Sequence, residues 1–513
     1  MIRTDVVQPL GELLGRQAVA YGNRAALSDP GRSVTYAQLD ARTASLAAGL
    51  ASLGVRHGER VLLFMRNSVS LVEAHLATVR AEATAVCISA ASTPDELQFF
   101  LQDSDPRVVV TDATRMPLVT QCLRDVAGGA RVPVVVADGD VAQPGRHAAF
   151  EGLISAHSDT SAPDGLPLDA PAWMLYTSGT TGRPKGVLLS QRSMLWVVAA
   201  AWLPFLELSS DDVALSPLPL SHSYPLDVTL ALLAAGGRTH LLERFTTPEV
   251  MAALGREQAT LLLCVPTTIT FLLNAVEDAG FQPDAFPALR FLLTAGAVVP
   301  AAVVQRAERR LGVPVLDAYG STEASTAIAL NGVRGGRIPG SCGVAAPGWA
   351  VRIVGPTTGR DVPVGEEGEL IARGPGVMLG YHNRPTETAQ TLRDGWYRTG
   401  DLARQDRNSY ITISGRVKDI IIRGGENIAP AEIENVLMHH SAVVDCAVVG
   451  RPDDVYGEVP AAYVVRAPEA TVTADELMSW CAGRLARFKV PASVHFIEEI
   501  QKTASGKVKR HLL

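Results

Sequence analysis

The stretch Arg107-Val-Val-Val-Thr111 decides the fold class. Three β-branched residues in a row, without polar alternation, suit a strand covered on both faces. A second apolar run, Arg60 to Met65, precedes it. Between and before these runs, apolar or small residues recur at helical spacing from Ser70 to Ala81 and from Tyr36 to Leu53, where Gly54 stops the pattern. Strand and helix readings alternate, which predicts α/β layering. The alternation continues after the loop-like Ala162 to Pro171, with strands at Trp173 to Tyr176, Ala259 to Val265, Leu289 to Thr294 and Pro314 to Ala318, and a helix at Ser193 to Leu203.

Near Gly335 the pattern changes to short strands and turns, at Gly348 to Val354, Gly368 to Ala372 and Ser409 to Ile413, a β-rich unit over residues 335–412. From Gly415 onward a separate α/β unit is expected, with strands at Lys418 to Arg423, Val443 to Val449 and Ala461 to Arg466 and helices at Pro430 to His439 and Ala474 to Leu485. The expected organisation is a large N-terminal domain, 1–415, and a smaller C-terminal domain, 416–513.

Composition excludes several classes. Lys plus Arg total 46 against 53 Asp plus Glu, and the net charge of −7 argues against a general nucleic-acid binder. The longest apolar run, Met194 to Leu206, is too short for a bilayer helix and contains Pro204, so no membrane span is expected. Met1 to Leu14 lacks the charged and apolar regions of a secretory signal. The six cysteines form no Cys-x-x-Cys pair, so neither a disulfide framework nor a zinc cluster is indicated, and a reducing cytoplasm is the expected location.

Five loops carry chemistry. In Tyr176-Thr-Ser-Gly-Thr-Thr-Gly-Arg-Pro-Lys-Gly-Val187, glycines free backbone amides to face a ligand, and hydroxyls and a lysine suit phosphate oxygens. The spacing is not that of a Walker A loop. Tyr319-Gly-Ser-Thr-Glu323 follows a strand, where α/β sheets bind ligands. Tyr397-Arg-Thr-Gly-Asp401 offers a carboxylate to ribose hydroxyls. Gly415-Arg-Val-Lys-Asp419 leads to Gly424-Gly-Glu-Asn427 and a helix opened by Pro430, and Lys502-Thr-Ala-Ser-Gly-Lys507 lies near the C-terminus. Taken singly, each also fits an ordinary turn, cap or solvated end.

In this order, over essentially the whole chain, the five loops resemble those of the adenylate-forming superfamily of acyl-CoA synthetases, stand-alone adenylation enzymes and luciferases. The resemblance implies that a carboxylic acid and ATP form acyl-AMP and pyrophosphate, that the acyl group then passes to a thiol, and that the C-terminal domain rotates between the two half-reactions. It implies that Thr177, Ser178, Gly179, Thr180, Thr181, Gly182 and Lys185 hold the β- and γ-phosphates, and that Thr177 and Glu323 contact Mg²⁺. Tyr319 would lie against adenine, Asp401 would bind the ribose with Arg416 nearby, and Lys507 would reach the carboxylate and α-phosphate. Lys418 would be the hinge, and Gly424, Gly425, Glu426 and Asn427 would enter the site for thioester formation.

The acyl pocket expected from the resemblance involves a gate at His222, together with Asp227, Thr294, Ala295, Gly296, Gly320 and Ser321; its stretches contain no Arg or Lys. Asp227 is open to two readings, a helix cap or a partner for a substrate amino group. The thiol is also open. Relatives that use CoA often carry basic residues after a Phe-Lys pair, whereas this chain reads Phe488-Lys-Val490. A CoA ligase leads. The alternative is an enzyme that loads an amino acid or small acid onto the phosphopantetheine arm of an acyl carrier protein, docked on Arg484, Arg487 and Lys489. A non-catalytic nucleotide-binding module is disfavoured by the joint presence of Lys185, Glu323, Asp401 and Lys507.

Overall fold

A computed structural model describes residues 2–138, 147–178, 183–278, 286–424, 426–502 and 508–513. The Val108–Asp112 strand is buried along its whole length inside an eight-stranded sheet. The order across that sheet is Gly380–Tyr381, Pro184–Ser190, Pro171–Ser178, Thr84–Cys87, Arg60–Phe64, Val108–Asp112, Val134–Ala137, His147–Ala149. Neighbours from Pro171–Ser178 onward are parallel, and the first two strands add an antiparallel edge. Both faces of the parallel part are covered, as the unbroken valine run requires. Val61, Leu63, Val108 and Val110 enter the main core, while Leu62, Phe64, Val109 and Val134 pack against the helices Pro94–Ser104 and Met116–Asp125.

A second sheet, of nine strands, runs Val344–Ala345, Ala329–Leu330, Val315–Tyr319, Phe291–Ala295, Leu261–Cys264, Val213–Ser216, Arg238–Leu241, Ala25–Ser28, Ser33–Thr35. Its Leu261, Leu263 and Leu293 join the same main core, and Leu262, Leu292 and Val315 face the helices Thr247–Arg256, Pro266–Asp278 and Ala301–Leu311. The helices Leu10–Tyr21, Tyr36–Ser52, Val69–Arg80 and Ser223–Ala235 contribute the core side chains between the sheets. Their ends follow local chemistry. Thr35 and Gln38 form a capping box, as do Thr93 and Glu96 with Pro94 at the first helical turn.

Two local expectations change. The sequence reading has strand, Gly-rich loop, then helix around Gly179. The structure adds a strand, Pro184–Ser190, that folds back antiparallel on Pro171–Ser178, with Thr177 opposite Lys185. Pro184 opens the strand, where a missing N–H costs the ladder little. The Ser193 to Leu203 helix is in fact Gln191–Val197 followed by a π-turn, Val198–Trp202, which carries Trp202 into the core.

The β-rich unit is an antiparallel sheet of Ala350–Val354, Gly368–Arg373, Trp396–Gln405 and Leu392–Arg393, with Ile411–Arg416 on Trp396–Gln405. A last sheet, of Glu426–Ile428, Ile421–Arg423, Gly457–Arg466, Val443–Asp453 and Ser493–Phe496, is backed by the helices Pro430–Met438 and Ala474–Ala482. It has its own core of Ile421, Ile433, Leu437, Val448, Val464 and Leu477. The molecule is thus a mixed α/β protein with a large N-terminal and a smaller C-terminal domain. Among the described residues no helix is long and apolar enough to cross a membrane, and all six cysteines are buried without a disulfide.

Candidate active site

Strand ends and the turns after them bring the chemistry-bearing loops together. Tyr319 ends the Val315–Tyr319 strand, and its hydroxyl donates to Asp401 Oδ2 at 2.8 Å. Asp401 lies on Trp396–Gln405, paired in register with Arg416 on Ile411–Arg416, and Arg416 Nε is 3.2 Å from Asp401 Oδ1. A phenol, a carboxylate and a guanidinium from separate motifs are therefore one group, joined by a hydrogen bond and an ion pair. Burial pushes the Tyr319 phenol well above its ordinary range, with the Asp401 charge adding to it, so it stays a neutral donor.

A second group forms around Glu323, in the short 3₁₀ turn Thr322–Ala324. Tyr381 donates its hydroxyl to Glu323 Oε1 at 2.9 Å, and the Lys185 ammonium sits 5.1 Å from the centroid of the same ring. The root of the hairpin is fixed by Tyr176, whose hydroxyl donates to Asp103 Oδ2 at 2.8 Å. Arg384 binds the other oxygen of Asp103 at 3.1 Å. Ser321 and Tyr397 share a 2.8 Å hydrogen bond that ties two motifs together. Gly320 is required by close approach: a Cβ there would lie 1.6 Å from the Thr326 carbonyl oxygen.

The expected acyl-pocket residues lie on elements that are linked in part. His222 is the N-cap residue of Ser223–Ala235, and Tyr224 on that helix donates to the Leu293 carbonyl at 2.7 Å. Leu293 precedes Thr294 and Ala295 on Phe291–Ala295, and Gly296 follows at φ 91. Thr294 pairs in register with Asp317, two residues before Tyr319. Asp227 does not cap its helix. It sits within the helix, fully buried, and accepts a 2.7 Å hydrogen bond from Trp202 Nε1 on the π-turn. Its Oδ1 has no hydrogen-bond partner among the described residues, nor does Thr294 Oγ1. Burial drives the Asp227 carboxyl well above the usual carboxylate range, with the Trp202 bond acting the other way.

Other expected residues lie apart or outside. Gly179, Thr180, Thr181, Gly182, Gly425 and Lys507 are outside the described residues. Ser178 ends its strand, and Asn427 pairs in register with Ile422. Lys418 is in the 3₁₀ turn Val417–Asp419 that joins the third sheet to the last, and Gly424 and Glu426 belong to the hairpin beyond it. Of the three proposed docking cations, Lys489 is held by both oxygens of Glu432 at 2.7 Å, and Arg484 stacks on Trp480 with its guanidinium 3.3 Å from the ring centroid. Arg487 is exposed.

Sequence reasoning missed Asp103, Tyr176 as an anchor, Trp202, Tyr381 and Tyr397. Tyr381 follows Gly380 at a turn into a two-residue strand, a signal too short for periodicity to reveal.

A family model described as AMP-binding enzyme matches residues 14–382, and one described as AMP-binding enzyme C-terminal domain matches residues 432–507. A feruloyl-CoA synthase from Amycolatopsis sp is 37% identical over 98% of this chain and 97% of its own. An indoleacetate–CoA ligase from Aromatoleum aromaticum is 35% identical over 98% and 96%. The solved structure of the anthranilate CoA ligase AuaEII in complex with anthranoyl-AMP superposes with a TM-score of 0.90 at 26% identity, covering 100% of this chain and 98% of that one. With matched family models across both domains and full-length relatives above 30% identity, the chain belongs to the adenylate-forming acyl-CoA ligase family of AMP-binding enzymes.

Proposed function

We propose that this enzyme joins an aromatic carboxylic acid to CoA in two steps: the acid and ATP give acyl-AMP and pyrophosphate, and the CoA thiol then displaces AMP. The observation that carries the proposal is the convergence of Tyr319, Asp401 and Arg416 beside the Glu323, Tyr381 and Lys185 group. In this reading, Asp401 accepts the ribose hydroxyls, Tyr319 lies against adenine, and Lys185 with the 177–182 segment receives the β- and γ-phosphates. A carboxylate oxygen of the acid attacks the α-phosphorus, and the bond to the bridging oxygen of pyrophosphate breaks. Lys507 offsets the repulsion between the two anions. Positioning dominates, and no enzyme nucleophile is needed.

Among the described residues no three His, Cys, Asp or Glu side chains group as a metal site. Glu323 and Thr177 offer one carboxylate and one hydroxyl, a set that fits Mg²⁺ carried by the triphosphate and still largely ligated by phosphate and water. When bound, the ion would screen phosphate charge.

The residues of the expected acyl pocket support the choice of acid class. Its stretches contain no Arg or Lys to pair with a second carboxylate. Asp227 Oδ1 and Thr294 Oγ1 are buried without a hydrogen-bond partner among the described residues, which supports an occupant that brings a polar ring group to them. Ferulate, indoleacetate and anthranilate, the acids in the names of the three relatives above, each carry an O–H or N–H on the ring, which supports the same class. CoA is the acceptor in this reading. The carrier-protein alternative loses one of its three cations to Glu432, and no observation favours it. We place the domain boundary at 415/416, with Lys418 as the pivot and residues 424–427 as the thiol-side loop.

The test is acid-dependent ATP–pyrophosphate exchange across ferulate, indoleacetate, anthranilate, benzoate, a fatty acid and an amino acid, followed by CoA or a holo carrier protein as acceptor. Exchange confined to ring-donor acids, with CoA thioester as product, is expected. Exchange only with the fatty or amino acid, or thioester only on the carrier, would overturn the assignment.

A further inference from the structure

Tyr381 touches both charged groups expected to meet the triphosphate, and it touches each without neutralising it. Its backbone is clamped in place. Gly380–Tyr381 pairs antiparallel with Pro184–Ser190, Leu379 N–H donates to the Leu188 carbonyl at 2.9 Å, and His382 N–H donates to Gly186 at 2.7 Å. Tyr381 N–H donates to Thr388 Oγ1 at 2.9 Å. The same segment holds the backbone of Glu323, through Met378 N–H to the Glu323 carbonyl at 2.8 Å. The Tyr381 side chain is therefore placed by fixed main chain on both sides.

From that position the phenol hydroxyl donates to Glu323 Oε1 at 2.9 Å, and the ring carries the Lys185 ammonium 5.1 Å from its centroid. A neutral phenol orients a carboxylate and leaves its full negative charge. An aromatic face attracts an ammonium and leaves its full positive charge. Lys185 and Glu323 form no ion pair with each other, although they share this partner. Direct pairing would occupy the groups that phosphate and its metal require, and breaking the pair would oppose nucleotide binding. Burial, with the Glu323 charge adding to it, keeps the phenol protonated.

We propose that Tyr381 is a positioning residue, an aromatic spacer that keeps Lys185 and Glu323 apart, charged and aimed before the nucleotide arrives. The inference rests on the ATP reading above, and it separates the polyphosphate from the rest of the nucleotide. AMP, which lacks the β- and γ-phosphates, should not feel the spacer.

Calorimetric titration with α,β-methylene-ATP plus Mg²⁺, and separately with AMP, tests it on the full chain. Tyr381→Leu removes ring and hydroxyl and should weaken the triphosphate analogue about tenfold or more. Tyr381→Phe keeps the ring and should raise the Mg²⁺ concentration needed for analogue binding about threefold or more. AMP affinity should stay within about twofold in both, since the spacer touches neither ribose nor base. Should Tyr381→Leu not fold, the Phe variant alone decides the metal arm. Equal losses for AMP and analogue, or no change for the analogue, would overturn the spacer role. Wild-type protein that binds AMP but not the analogue would also remove it, while wild type that binds neither nucleotide removes the ATP reading itself.

Discussion

Asp227 is the residue whose cost in stability is visible without a ligand. It is fully buried, with one oxygen on Trp202 and the other open. Its folded pKa is raised well above the usual value, so the folded state keeps a proton that the unfolded chain releases near pH ~4. Stability from this group is therefore present below that pH and is lost as pH rises toward the folded pKa. Asp227→Asn keeps an oxygen for Trp202 and has nothing to titrate. Its thermal stability without ligand should gain on wild type as pH goes from about 5 to about 8. Parallel melting curves would contradict this. Asp227→Leu should raise the KM of a ring-donor acid about tenfold and leave the unsubstituted analogue unchanged. Lys507 makes a different division. Lys507→Ala should lower pyrophosphate exchange on the order of 100-fold, while thioester formation from supplied acyl-AMP stays within about threefold. Equal losses in both half-reactions would remove it from the adenylating role.

At the scale of elements, the turn Val417–Asp419 is the short covalent link between the third sheet and the last. In the proposed cycle, a swing of the C-terminal domain would be absorbed by a few backbone dihedrals there. Lys418→Pro fixes φ near −65° and should slow thioester formation about tenfold or more, with pyrophosphate exchange nearly unchanged. Normal overall turnover would take Lys418 out of the hinge. Elements of this kind differ in how far sequence reveals them. The Val108 to Val110 run is buried on both faces, so its composition alone marks a central strand. The Pro184–Ser190 strand begins with a proline beside a Gly-rich loop, and those signals read as turn, so the hairpin was hidden. The π-turn at Val198–Trp202 shows no periodic signature, because its shape is set by what Trp202 meets, a buried carboxylate distant in sequence. Tyr381 is invisible for the same reason: both of its partners belong to other motifs. Loops rich in Gly, Thr and Lys are legible as candidate chemistry because their residue types suit phosphate ligands. The side chains that orient them are chosen for protein neighbours.

At the scale of the molecule, two sheets share one main core, and the smaller domain has a core of its own. Motifs far apart in the chain meet where the first domain's strands and the β-rich sheet deliver them, with Tyr319 beside Asp401 and Lys185 beside Glu323 through Tyr381. The central claim is that such a site makes acyl-AMP, so that the acid's own oxygen attacks the α-phosphorus. The most direct measurement follows that oxygen. An acid active in exchange is labelled with ¹⁸O in its carboxylate and turned over with ATP, CoA and Mg²⁺, and the products are resolved by mass spectrometry. The account predicts one labelled oxygen in AMP and none in pyrophosphate. ADP formation with label in inorganic phosphate, the signature of an acyl phosphate, would contradict it.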